Sequence, residues 1–507
     1  MANYFSNAVN YVGDWFASKL APLINDKMGI GYNILGRYYT GDARPQLKAT
    51  PTGKDDNVFL NFIGLAVDRS VSRMFRGGVD FVLPEGAETQ QEYIDTVWDL
   101  NKKEIILYQV GLHGAVYGTT YFKVQPDGVE DPYTEKYYPR LIALDPEIVR
   151  IKADPQDMNK VLLYQIRYTI GRTSYCEVTR RIDVEYTFDQ NTGEAIPAQK
   201  AAQAYDGTQA ETDQTVIWIV DEWEQSATYG NQMTKTNEIP WEFSFPPIIH
   251  WKNLPSLKSC YGDSDIDDSI NVQDRENFTV SNIGKIIKHH ASPKTIGTGF
   301  QVKDMQALDN SPESFHTISN PDAKVFNLEM QSDLVSSRAH AMDLRQAIFD
   351  VSREIDISSI ADKIGSLTNF GLRVLYGDAI DKNDTKRQLY GDALKELNRR
   401  LLVLGGFEKE ASNPGSVQWG DAIPVNMTEE ITTDKQALEL GIVDKETVAR
   451  KYETRYGVDW ETIQERLASQ QTADNANNAD IGTQILRNFN RGLGAEQNNP
   501  NRQPPAF

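Results

Sequence analysis

The chain has 507 residues, with 52 Lys+Arg against 72 Asp+Glu and a formal net charge of −20. With 40% hydrophobic and 24% charged residues it reads as a folded chain, long enough for about three domains or one large unit with insertions. The acidic balance excludes a protein that neutralises phosphates over its whole surface, but not one that handles DNA without gripping it.

Along the chain, Phe5, Val9, Val12, Phe16 and Leu20 recur at helical spacing. The start lacks the basic and continuous apolar regions of a signal peptide, so a packed helix in a non-exported protein is expected. Residues 29–55, rich in Gly, Pro, Thr and Asp, read as an extended arm or loop. Ile63, Val67, Val71, Met74 and Phe75 form one helical stripe, stopped at Gly77-Gly78 and followed by a strand, VDFVLP (79–84). Residues 88–113 read as helix. From Thr119 to about His250 the texture is β, with Pro126-Asp127-Gly128 and Asn191-Thr192-Gly193 as turns. An α+β domain over roughly 56–265 follows from this.

From Asp265 the pattern turns helical. Ile266, Ile270, Phe278, Ile283, Ile286 and Ile287 fit a long helix ending before Pro293. A Gly/Pro/Asn-punctuated segment with short β-like pieces (292–330) separates it from a second helix, 332–356, carrying Leu344, Ile348, Val351 and Ile355. A Ser/Gly/Asn link (357–371) leads to a third, from Leu372 to Leu404. Helices of about 25 residues are ~37 Å long, an uncommon layout for a compact enzyme. Gly377 and Gly391 each weaken the third helix by about 1 kcal/mol relative to Ala, so a bend is expected there. Residues 417–425 look strand-like. Residues 428–469 read as two or three short acidic helices, the first ending at Gly441. The last 37 residues, with 8 Asn and 4 Gln, read as a flexible tail.

Catalytic and metal chemistry finds no constellation. Cys176 and Cys260 form no CxxC pair and read as reduced thiols of a cytoplasmic protein. The longest apolar runs, such as Ile105 to Tyr108, fall far short of a membrane span. GIGYNILG (29–36) misplaces the third glycine of a dinucleotide loop, and no GxxxxGK[ST], HExxH or GxSxG occurs. His289 and His290 point about 100° apart on a helix. GDSDIDD (262–268) offers Asp263, Asp265 and Asp267 to a divalent cation but lacks the glycine and glutamate of an EF-hand. The favoured reading is a helix start capped by Asp263 or Ser264. Glu354 and Asp356 read as a helix-end feature. No cofactor is expected.

Several segments, in order, resemble the bacteriophage portal protein family, whose members form the head-to-tail connector ring. LNFIGLAVDRSVSRMFRGGVDFVLP (60–84) is similar to the family's early helix-then-strand, with Gly78-Val79 where Gly-Pro is usual. GAVYGTTYFKVQPDG (114–128) resembles its YG-strand. FPPIIHWKN (245–253) and YGDSDIDDSINVQDRENFTVSN (261–282) resemble the run into the first stem helix. ASPKTIGTGF (291–300) is similar to the start of the clip. LTNFGLRVLYGDAIDKNDTKRQLY (367–390) resembles the helix after the tunnel loop, with Asn369-Phe370 replacing the usual Ser before Gly371. GIVDKETVARKY (441–452) resembles a motif near the crown.

The resemblance implies an α+β portal fold assembled as a ring. An N-terminal helix and arm (1–55) would precede an α+β wing (56–266). Stem helices (267–291 and 332–356) would flank a small α/β clip (292–331). A tunnel loop (357–371), a long helix returning to the wing (372–427), a helical crown (428–470) and a tail (471–507) would follow. It implies no enzymatic turnover. Double-stranded DNA would pass non-specifically through a homo-oligomeric, twelve-fold ring at one capsid vertex of the virion, assembled in the host cytoplasm. Partners would be the terminase large subunit, the major capsid and scaffold proteins, and head-completion adaptors, without a membrane.

In that frame Lys363, Ser366, Thr368 and Asn369 would contact DNA from the tunnel loop. Lys285, Lys288, His289, His290, Lys294 and Lys303 would form a basic ring at the stem–clip boundary, or else complement a helix C-terminus. An acidic wall suits a conduit, because it repels phosphates within one Debye length, ~8–10 Å. Two other classes stay open: another phage structural protein of tail or capsid, and a cytosolic hydrolase with carboxylates at Asp263–Asp268.

Overall fold

The computed structural model describes residues 31–42, 57–171, 173–189, 193–197, 217–226, 233–257, 259–291, 294–298, 322, 324–328, 334–358, 368–422, 427–456 and 460–470. The chain divides into two compact units, residues 1–424 and 425–507.

The first unit corrects the expected arm at once. Helix α1 (Tyr32–Thr40) occupies the Gly- and Thr-rich segment, with Gly31 before it and Gly41, at φ +81°, after it. The glycines mark helix ends, and burial of Tyr32 and Leu35 holds the turns between them. Helix α2 (Phe62–Met74) starts where Asn61 Oδ1 accepts the Gly64 N–H at 2.9 Å, and it buries Ile63, Val67, Val71 and Met74. Strand β1 (Val79–Val82) follows. The helix expected over 88–113 is two, α3 (Glu88–Leu100) and α4 (Lys103–Tyr117), broken where Lys102 takes φ +55°.

The β region supplies β2 (Thr119–Glu130), β3 (Tyr137–Leu144), β4 (Val149–Ala153), β5 (Val161–Ile170), β6 (Thr173–Arg181), β7 (Tyr186–Phe188), β8 (Ala195–Pro197), β9 (Trp218–Ser226), β10 (Met233–Trp241) and β11 (Ile248–Lys252). They make antiparallel sheets ordered β10-β9-β6-β5-β4 and β11-β2-β3, with β7-β8 as a separate hairpin. Pro126-Asp127-Gly128 is a bulge inside β2, not a turn. The register against β3 jumps between Gln125 and Val129, with Asp127 at φ +49°. The chain reverses at 131–136, where the Asp131 carboxylate accepts the Tyr133 N–H and the Thr134 hydroxyl.

Helix α5 (Ile270–Ala291), strands β12 (Lys294–Thr298) and β13 (Lys324–Leu328), and helix α6 (Leu334–Ser352) come next. The third helical stretch is α7 (Asn369–Leu375) and α8 (Gly377–Leu404), separated at Tyr376. The expected break therefore falls at Gly377, while α8 runs unbroken through Gly391. Strand β14 (Ser416–Trp419) returns to pair with β1.

Helix α8 sits at the centre of the largest core. Its Tyr390, Ala393, Leu394, Leu397 and Leu401 pack with Trp98, Val110, Phe122 and Trp251 from α3, α4, β2 and β11. Full burial of Leu394, Leu397 and Leu401 contributes about 1.5–3 kcal/mol each. A second core joins α1, α2 and α4 to Ile266, Ile270 of α5 and Ile348 of α6. The helix pair is thus rooted in the α+β body.

In the second unit, α9 (Met427–Glu439) precedes Gly441, at φ +68°, as the sequence predicts. Lys451 of α10 (Lys445–Tyr456) pairs with Glu430 and Asp434 at 2.9 and 3.0 Å, and residues 460–470 are also helical.

Candidate functional site

The feature that sets this chain apart is the α5–α6 pair. The two helices pack against each other, and the antiparallel strands β12 and β13 join their ends, from Lys294 opposite Leu328 to Thr298 opposite Lys324. Five of the basic residues predicted to act together lie on these elements. Lys285, Lys288, His289 and His290 occupy the last two turns of α5, where cations also complement the helix dipole. Lys285 is half-buried and Lys288 exposed, while Lys294 is the first residue of β12. Lys303, and the loop candidates Lys363 and Ser366, lie outside the described residues. Thr368 caps α7, its hydroxyl accepting the Gly371 N–H at 3.1 Å, and Asn369 is the first residue of that helix.

The root of α5 is held by a polar ridge. Gln273, Asn277 and Ser281, four residues apart and buried, bond the backbone of residues 58–63. Ser281 Oγ accepts Val58 N–H at 3.0 Å, Asn277 Oδ1 accepts Leu60 N–H at 2.8 Å, and Gln273 Oε1 accepts Phe62 N–H at 3.0 Å. Gln273 Nε2 in return donates to Leu60 O at 2.8 Å. A helix face here plays the part of a neighbouring strand, supplying an extended segment with the hydrogen bonds it would otherwise lack.

Asp265 is not open to a cation. It is buried, and its carboxylate accepts from Lys386 Nζ, from Asn253 Nδ2 at 3.0 Å and from Ser70 Oγ at 3.4 Å, with Lys382 Nζ at 3.3 Å. Burial pushes the Asp265 carboxyl up, and the fields of Lys382 and Lys386 outweigh it, holding it below its ordinary value. Burial pulls Lys386 down to about 8 despite Asp265. Lys382 also donates to Ser352 O at 2.8 Å, at the end of α6. Asp263 is exposed and Asp267 half-buried. Burial, then Asp268 and Asp263, raise the Asp267 carboxyl. Among the described residues no group of three His, Cys, Asp or Glu converges on a metal position.

The start of α5 also departs from expectation. A 3₁₀ turn, Asp267–Ser269, precedes it, and Ser264 Oγ accepts Ile266 N–H at 3.2 Å while donating to Val116 O at 2.6 Å. Ser264 therefore ties the turn to α4 and is not the cap of α5 itself. Close passage of Gly118 against Gly262 allows this, because a Cβ on Gly118 would lie 2.4 Å from Gly262 O.

Glu354 and Asp356 are a helix-end feature, as expected, and each holds an arginine. Glu354 takes a two-pronged pair from Arg73 of α2, Arg69 Nη1 donates to Ile355 O at 2.9 Å, and Arg345 Nη2 donates to Asp356 at 2.8 Å. Sequence reading missed this anchorage of α5, α6 and α8 around Asp265. The signal was present as polar residues recurring at i, i+4, Gln273/Asn277/Ser281 and Lys382/Lys386, all of them buried.

No helix of the described residues is long and apolar enough to cross a membrane. Among curated proteins, no match to the chain is found. A family model described as phage portal protein, SPP1 Gp6-like, matches residues 30–476. That span contains the α+β body, the helix pair with its strand-joined ends, and the helix α8 on which both converge. The chain belongs to the SPP1 Gp6-like family of phage portal proteins.

Proposed function

We propose that copies of this chain assemble head to tail into a ring, twelve-fold by family resemblance, forming the channel through which double-stranded DNA is packaged by a terminase and later ejected. In this reading α5 and α6 are the stem, the β12–β13 region the clip, residues 357–371 the tunnel loop and the second unit the crown. The ring is also the platform for capsid, scaffold and head-completion proteins, and it carries no catalytic site of its own.

The observation that carries this reading is the pair of outward faces on the two helices. Arg275 and Phe278 are exposed on α5, while Met342, Asp343 and Asp350 are exposed on α6. Arg275 lies over its own Phe278 ring at 5.4 Å. No ion pair joins Arg275 to Asp350 within the chain, although antiparallel packing puts the start of α5 beside the end of α6. Exposed charged and apolar side chains on both helices, with Arg275 and Phe278 on one and Met342, Asp343 and Asp350 on the other, suit a repeating, heterologous contact.

The test is a charge exchange. Arg275→Glu alone, or Asp350→Lys alone, is expected to raise the concentration needed for assembly roughly tenfold or more, because like charges then meet. Mixing the two variants is expected to restore rings, read by native mass spectrometry and electron microscopy. If both variants assemble as well as the parent, these faces are not the contact; a parent that stays monomeric removes the ring itself.

The basic turns at the end of α5 are proposed to steady DNA phosphates without sequence readout. Lys285→Glu with Lys288→Glu is expected to leave rings intact and to reduce the DNA retained per capsid. Normal DNA content would reassign those lysines to the helix dipole.

A further inference from the structure

Between α5 and α6 two complementary charged groups are each left incomplete. Glu276 of α5 is 2% exposed, and its Oε2 is buried with no hydrogen-bond partner. Arg345 of α6 has a buried Nε, also without a partner. The rest of that guanidinium is engaged elsewhere: Nη2 donates to Asp356 Oδ1 and to Ser358 Oγ, and the group lies 4.9 Å over the Phe62 ring. An unpaired buried carboxylate costs several kcal/mol, so its persistence beside an arginine with a spare donor marks a second position for that arginine.

We propose that Arg345 is a two-position tether, which holds Asp356 and Ser358 in the arrangement seen here and alternatively pairs with Glu276. In the first position it restrains the chain leaving α6. In the second it closes the α5–α6 contact and releases Asp356 and Ser358 from the guanidinium. The field of Arg345 acts on the Glu276 carboxyl, opposing the effect of burial. The other groups nearby are engaged or face solvent. Arg69 of α2 bonds Ile355 O and covers Phe349, Asp274 bonds Tyr38, Arg275 covers Phe278, and His340 of α6 is exposed.

Control follows from the charge on Glu276. Burial raises its carboxyl to about 7, against the opposing field of Arg345, so near neutral pH the competitor for Arg345 is half protonated. Protonated Glu276 leaves Arg345 with Asp356. Ionised Glu276 draws it across.

The full-length chain tests this with three conservative variants, Glu276→Gln, Asp356→Asn and Ser358→Ala. The difference in stability between parent and Glu276→Gln, followed from pH 5 to 9, reads the titration of Glu276. Repeating the comparison in the Asp356→Asn background frees Arg345 for Glu276 and is expected to move that midpoint down by at least one pH unit. Ser358→Ala, the milder change, is expected to move it in the same direction by less. Hydrogen exchange of the peptide covering 356–358, corrected for intrinsic rates, is expected to quicken severalfold from pH 6 to 8 in the parent and to stay flat in Glu276→Gln. A midpoint unchanged in both acceptor variants, or exchange that responds to pH equally with and without Glu276, overturns the proposal. The result does not depend on ring formation, because Glu276, Arg345, Asp356 and Ser358 all belong to one chain.

Discussion

Asp265→Asn is expected to destabilise the first unit by about 3–5 kcal/mol at pH 7, the range for removing one partner of a buried ion pair. The asparagine keeps the shape and part of the hydrogen bonding, so the loss isolates the charge. Lys382 and Lys386, 5% and 2% exposed, would then face each other with only the more weakly acting Glu354 carboxylate to offset the charge on Lys386. The pH dependence gives the defect a signature. A buried lysine whose folded pKa lies below its unfolded value binds fewer protons folded than unfolded between those two values, so stability rises with pH across that window. Lys386 already sits near 8 with Asp265 present, and loss of the carboxylate lowers it further. The Asp265→Asn defect is therefore expected to shrink from pH 7 to pH 9.5. Urea midpoints followed by Trp fluorescence measure it. Adding Lys386→Met should recover a large part of the loss; a double variant no better than the single would show that geometry, not charge, is at stake.

Gly118→Ala is expected to cost about 2–5 kcal/mol by a different route. The residue takes φ +77°, where a Cβ costs roughly 1–2 kcal/mol. The added atom would meet Gly262 O at 2.4 Å, Asp263 C at 2.8 Å and Ser264 N at 2.9 Å. All three are backbone, so no side chain can swing aside, and overpacking of that kind adds about 1–3 kcal/mol. The turn that must yield is the one that delivers Asp265 to its lysines. Loss of soluble, folded protein is the expected readout. A Gly118→Ala variant with an unchanged urea midpoint would show that the 262–264 turn accommodates the atom freely.

Much of this was legible from residue patterns. The apolar stripe Ile63/Val67/Val71/Met74 is buried as read, and the long helical runs after Asp265 appear as α5, α6 and α8. Period and burial coincide on α2, whereas on α5 and α6 they part: Phe278, Ile287 and Val351 of the apolar pattern are exposed, and Gln273, Asn277 and Ser281 are buried. Legibility failed where a local signal had two meanings. Glycines at 31 and 41 end a helix as readily as they open a loop, and only the burial of Tyr32 and Leu35 decides. Pro126-Asp127-Gly128 carries turn chemistry, yet pairing with β3 continues on both sides and makes it a bulge. The Asp cluster at 262–268 reads alike for a cation and for lysines, because Lys382 and Lys386 lie more than a hundred residues away. The roles of Lys285 and Lys288 depend on neighbours that one chain does not contain.

The attachment of the helix pair has a mechanical consequence. Helix α5 is bonded through Gln273 to the N-terminal end of α2, at Phe62 and Ile63, and the chain after α6 is bonded through Arg69 and Arg73 to the later turns of α2. A pull on the β12–β13 end therefore travels along two struts that both bond to one short helix, with Lys382 of α8 sharing the load at Ser352. The hydrogen bonds to residues 58–62 run side by side along α5, so an axial load strains them together in shear. Bonds loaded in that way resist as a set, whereas peeling would break them one at a time.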